Sequence, residues 1–168
     1  MESIKYPELN GSDEVFDKEL SEFIKLPVEQ HKRVKYGFYQ ANIISQLRPK
    51  ALKLYMIILF NTDRKQKTYI KNISLSKLSG LTVREISKGY DKKKNSLLNE
   101  LEYWHLIERR NLPNPKYSKK ENFRKNRCIV VHRWDKALEL LKKDGKVIVY
   151  EDGKVRARPN PFIKDKNL

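Results

Sequence analysis

Two runs of cationic side chains carry the chemistry most plainly written in this chain. The first holds Arg84, Lys88, Lys92 and Lys93 and leads into Asn95 and Ser96. The second holds Arg109, Arg110, Lys116, Lys119, Lys120, Arg124, Lys125 and Arg127. Guanidinium and ammonium groups attract phosphate oxygens, while a side-chain amide or hydroxyl can hydrogen-bond the edge of a base. Tyr117 and Phe123 lie among the lysines of the second run. An aromatic ring so placed can stack on an unpaired base, although packing against its own hairpin is the commoner use.

Other chemistries find little to work with. His31, His105 and His132 are far apart and lack a metal-binding spacing. Asp144, Glu151 and Lys154 have the residue types of a metal-dependent nuclease, but cleavage needs carboxylates converging on one cation. Glu151-Asp152-Gly153 reads instead as a turn, with glycine at its left-handed position. The single cysteine, Cys128, excludes an internal disulfide and reads as a small buried apolar residue. No glycine-rich phosphate loop is present. The expectation is a protein that is not an enzyme and takes no cofactor or metal.

Composition agrees with a polyanion as partner. The 168 residues leave room for one well-packed domain with extensions, and carry a formal net charge of +16. Residues 1–24 hold seven acids against two lysines, so the remainder has 35 basic and 14 acidic residues, a surplus of 21. A field of that sign favours nucleic acid or an anionic membrane surface. Adsorption to a membrane would need a basic helix with a free apolar face, and the apolar faces here are committed to a core. No apolar run approaches the roughly 20 residues of a membrane span. Nor does the N-terminus show the basic-then-apolar pattern of a secretory signal, so a cytoplasmic location is expected.

The elements that must position these groups follow from periodicity. Residues 1–12 read as a tail. Ser12 then caps an expected acidic helix with Phe16, Leu20, Phe23 and Ile24 on one face and Pro27 as its end. Such a helix, of about a dozen residues, needs a surface to dock on, either its own domain or a protein partner. Pro49 opens the strongest helix, with Ala51, Leu54, Tyr55 and Ile58 at helical spacing. Thr68-Tyr69-Ile70 reads as a short strand. Ser74 is expected to cap a helix burying Leu75, Leu78 and Leu81, with Gly80 at the turn. Thr82 and Glu85 have the spacing of a capping box.

Ile86, Tyr90, Leu97, Leu98, Leu101 and Trp104 continue at helical spacing. Residues 83–104 form either one long helix with a weak point at Gly89, or a short turn that restarts at Asp91. Both place Lys92, Lys93, Asn95 and Ser96 on the solvent side. Leu106-Ile107 opens a strand, a basic loop follows, and Arg127–Trp134 returns as a second strand. Asp135 is expected to cap a short helix with Ala137, Leu138 and Leu141 on one face. A hairpin over 146–158 follows, and the residues from Pro159 onward read as unstructured.

A core helix, a helix-turn-helix and a long basic hairpin are the parts of a winged helix, which lays one helix in the DNA major groove. Its usual spacing from turn to hairpin is shorter than Leu81 to Ile107, which favours the interrupted reading of residues 83–104. The expected class is thus α+β and mostly helical: a winged helix-turn-helix with a long hairpin wing and a C-terminal helix-plus-hairpin extension. Its segments are an acidic tail (1–24), a DNA-binding domain (25–134) and the extension (135–168).

The stretch from about Phe23 to Trp134 resembles the winged-helix domain of plasmid and phage replication initiators. The resemblance rests on FIKLPVEQHKRV, PKALKLYMIILF, ISLSKLSGLTVREI and LLNELEYWHLI. Extra residues fall between Leu81 and Leu97, and His105 stands where a glycine is common. The resemblance implies binding to repeated sites in double-stranded DNA, as a homodimer, in replication initiation; transcriptional regulation by the same fold is the alternative. A third reading is a protein-interaction module with incidental affinity for DNA.

Overall fold

Residues 12–17, 22–27, 34–87, 95–113 and 125–163 are described in a computed structural model, in which the chain divides into two units, 1–33 and 34–168. The N-terminal unit corrects the sequence expectation. The segment read as an amphipathic helix forms two antiparallel strands, β1 (Ser12–Asp17) and β2 (Glu22–Pro27). Val15 is registered with Ile24 and Phe16 with Phe23. β-Branched and aromatic residues favour strands over an isolated short helix, and here they fall on directly opposed positions. Ser12 therefore opens a strand rather than capping a helix.

The second unit starts with α1 (Tyr36–Gln40), followed by a 3-10 turn, Ile44–Gln46. α2 (Pro49–Phe60) begins with its proline in the first turn, as expected, and buries Ala51, Leu54, Tyr55, Ile58 and Leu59. β3 is only Lys67–Thr68. α3 (Asn72–Ser79) starts two residues before Ser74, which is an exposed interior position rather than the cap. Gly80 ends the helix at φ 71°, the left-handed conformation that glycine adopts without a Cβ penalty. α4 (Val83–Ser87) follows at once. The capping box forms in both directions: Thr82 N donates to Glu85 Oε2 at 2.9 Å, and Glu85 N donates to Thr82 Oγ1 at 3.1 Å.

A single helix over 83–104 is excluded, because residues 95–96 are non-helical and α5 (Leu97–Tyr103) has its own start. The cap of α5 is Ser96, whose Oγ accepts from Asn99 N at 3.1 Å. The expected restart at Asp91 lies outside the described residues. β4 (Ile107–Pro113) and β5 (Lys125–Val131) pair antiparallel, and β5 also pairs with β3, giving the order β3-β5-β4. β5 ends before Trp134, which instead begins α6 (Trp134–Lys143). Asp135 sits in the first turn of α6 rather than at its cap, which is Arg133. β6 (Val147–Val149) and β7 (Val155–Ala157) form the expected hairpin around Gly153, at φ 82°.

The class is α+β, with helices and small antiparallel sheets. Among the described residues, one core joins the six helices and the three-stranded sheet: Phe38, Leu54, Ile58, Leu75, Ile86, Leu101, Trp104 and Ile129 are sealed from solvent, with Ala137 and Leu141 from α6. Leu78 is a correction. It was expected in the core but is 58% exposed, and the inward position one turn after Leu75 belongs to Ser79. The hydroxyl of Ser79 donates to Leu75 O and accepts from Leu81 N, so burial leaves it satisfied. Among the described residues, no helix is long and apolar enough to cross a membrane.

The segment after Pro159 is also packed where it is described. Asn160 is buried, and its amide donates to Gln46 O at 2.9 Å and to Glu100 Oε1 at 2.8 Å. Phe162 meets Tyr103 edge to face.

Candidate nucleic-acid interface

The two cationic runs reach the structure unevenly. Lys88, Lys92, Lys93, Lys116, Lys119, Lys120 and Arg124 lie outside the described residues, as do Tyr117 and Phe123; Lys125 opens β5. Arg84 is exposed on α4, beside the exposed Thr82 and Val83. α3 adds exposed Lys71 and Lys77 at its two ends, which sequence reasoning had passed over because isolated lysines on a short helix carry no motif.

Three of the expected contacts are engaged elsewhere, and a fourth, Asn95, is enclosed. Ser96 was placed on the solvent side, but it is fully buried and spends its hydroxyl on the α5 cap. Asn95 is half-buried; its Oδ1 is enclosed, and its backbone carbonyl accepts from Arg48 Nη2 at 3.4 Å. Both were misplaced because the helical period was carried onto residues 95–96, which are not helical. Arg109 is clamped by Glu102, with Nη2 to Oε2 at 2.6 Å, and donates to Asn99 Oδ1 at the same distance. Arg127 points inward: it bonds the Asn72 side chain and donates to Ile70 O at 2.7 Å, and burial lowers its pKa. Arg127 thus ties β5 to the start of α3.

Arg110 remains at the surface, paired in a fork with Glu108. Glu108 also meets His132 Nε2 at 2.9 Å, and the hydrogen bonds from Arg110 and then His132 hold its carboxyl at about 2. Glu85 is held at about 2 as well, chiefly by the Lys50 side chain and then by Thr82 N–H. Lys50 lies in α2, so this pair joins the core helix to the start of α4.

The residues considered for catalysis do not converge. Asp144 bonds His105 and Lys146, which hold its carboxyl below the usual range, while Lys154 pairs with Asp152 at 3.1 Å. His105 adopts φ 52°, the conformation for which glycine is the usual choice. Its bond to Asp144, 2.7 Å, and the backbone bond from Leu106 N to Leu101 O hold that strained corner in place. Among the described residues, no group of His, Cys, Asp or Glu is arranged to hold a metal. Cys128 is buried and free, with its thiol pKa raised by burial.

Sequence reasoning missed the most enclosed acid among the described residues. Glu100 is fully buried and accepts from Arg48 N at 3.0 Å, Arg48 Nε at 2.5 Å and Asn160 Nδ2 at 2.8 Å. The signal was its spacing: Glu100 falls three residues after Leu97 and four before Trp104, on the apolar face of α5. No family model, curated protein or solved structure matches the chain.

Proposed function

We propose that residues 49–131 form a winged helix that binds double-stranded DNA, with α4 and the residues after it at the major groove and the β4–β5 loop as the wing. The observation that carries this reading is the pairing of β3 with β5. It closes a three-stranded sheet, β3-β5-β4, around a helix-strand-helix-turn-helix order. Within the described residues, Arg84, Lys71, Lys77 and Arg110 supply phosphate contacts, while Arg109, Arg127 and Ser96 hold the frame. Action at replication origins, as a homodimer on repeated sites, is attached to this reading by the sequence resemblance alone.

The test is a titration with duplex DNA over a range of salt. With about six phosphates neutralised, log K should fall against log[salt] with a slope of about −5. A slope near zero, or no binding at low salt, refutes the reading. One observation favours a second reading: Ile73, Leu78 and Val83 are exposed on α3 and α4 and would suit a protein interface. Under that reading, Leu78→Ala abolishes self-association or partner capture and leaves duplex affinity intact.

A further inference from the structure

A groove of about 890 Å³ lies between α1, α6 and the β6–β7 hairpin. Its walls include Tyr39, Trp134, Tyr150, Asp152, Lys154 and Arg156, none of which belongs to α3, α4, β4 or β5. The two tyrosine rings are openly presented. Tyr39 is 63% exposed and Tyr150 47% exposed. Tyr39 stacks on Tyr36, also exposed, with centroids 5.9 Å apart and planes 26° from parallel. Rings left in water forgo the stabilisation that burial would bring, so a cluster of them at a groove marks a place where something else supplies it.

The floor is built to hold its shape. A Cβ on Gly37 would lie 2.3 Å from the Trp134 indole, so the ring rests directly on the α1 backbone, and Phe38 meets it edge to face. At the rim, Lys154 and Arg156 are exposed. Asp152 moderates their charge, with its carboxylate 3.1 Å from Lys154 Nζ.

We propose that this groove binds a single-stranded stretch of nucleic acid, with bases stacked on Tyr39 and Tyr150 and phosphates held by Lys154 and Arg156. A flat ring beside a cation matches the two faces of a nucleotide, its base and its phosphate. A duplex does not fit this chemistry, because its base faces are already covered by neighbouring bases. The groove is separate from the face proposed for duplex DNA, so either assignment can stand without the other.

The experiment uses the full chain and a fluorescein-labelled oligothymidylate of about 16 nucleotides. Binding is followed by anisotropy and by tryptophan fluorescence, with a duplex measured in parallel. The wild type should bind the oligomer with quenching of its tryptophan emission, because Trp134 lines the groove. The double variant Tyr39→Ala/Tyr150→Ala should lose at least about 10-fold in single-strand affinity and keep its duplex affinity. Tyr39→Phe/Tyr150→Phe should bind as the wild type does. The proposal is overturned if the wild type ignores the oligomer, if saturation leaves tryptophan emission unchanged, or if the alanine variant loses single strand and duplex equally. It is also overturned if the alanine variant instead changes the mass of the protein in solution, since the groove would then join protein chains.

Discussion

Replacing Glu100 by glutamine keeps the shape of the side chain and removes the charge, which isolates what the buried carboxylate does. All three of its described partners are donors: Arg48 N, Arg48 Nε and Asn160 Nδ2. A carboxylate can accept from all of them, whereas the amide of glutamine turns one of its two positions into a donor facing a donor. The Arg48 guanidinium loses its counter-ion as well. Removing one partner of a buried ion pair costs about 3–5 kcal/mol. The Arg48 side chain keeps 25% of its exposure, so water compensates part of the loss and the expected cost is near the lower end, about 3 kcal/mol. Given marginal stabilities of about 5–15 kcal/mol, that is a large fraction of the total. Urea unfolding followed by tryptophan fluorescence measures it. Asn160→Ala should cost about 1–3 kcal/mol, and the double variant should cost less than the sum, because the two side chains share one hydrogen bond. A loss below about 1 kcal/mol for Glu100→Gln would refute the reasoning, since it would mean that residues 158–163 do not close over this site in solution.

Three further outcomes are expected. Gly37→Ala should destabilise by about 1–3 kcal/mol, because its methyl group would overlap the Trp134 ring; an unchanged melting temperature would show that the indole moves aside freely. Leu54→Ala should cost about 2–5 kcal/mol and Leu78→Ala less than about 0.5 kcal/mol, a contrast read directly from melting curves of the two variants. Acid should weaken the fold through Glu85 and Glu108. Both carboxyls lie at about 2 in the folded chain against an ordinary value of 4.5, so their contribution is complete above 4.5 and disappears as pH falls toward 2. The variant Glu85→Gln/Glu108→Gln should therefore lose stability at neutral pH and show a flatter decline over that window; an identical decline would refute the assignment.

Much of this fold is written locally. Pro49, the Thr82–Glu85 box, Gly80 and the Glu151-Asp152-Gly153 turn each fix a boundary through chemistry confined to a few residues, and all four appear where the sequence places them. The errors fall where a non-local partner decides. Phe16, Leu20, Phe23 and Ile24 share a helical face, yet Phe16 and Phe23 also stand opposite one another across an antiparallel pair. Both periods fit so short a segment, and only the pairing energy of the second strand separates them. Leu78 and Ser79 present the same difficulty at the scale of one residue. Hydrophobicity favours burying the leucine, but a serine that bonds back to Leu75 O also serves in that position, and its cost is visible only when its partners are.

The same reasoning explains why the candidate site was harder to read than the fold. A lysine or arginine in the sequence carries its charge but not its partner. Arg109 and Arg110 are neighbours on β4, and alternation sends them to opposite sides of the strand. Arg109 meets Glu102 and Asn99 of α5, whereas Arg110 meets Glu108 at the surface. Arg127 reaches across to Asn72 and Ile70 because β5 runs beside the strand that leads into α3. The charges of Arg109 and Arg127 still add to the positive field, but their hydrogen-bonding capacity is spent on joining the hairpin to the helices. Substituting Arg127 should therefore register first as lost stability, as a lowered melting temperature.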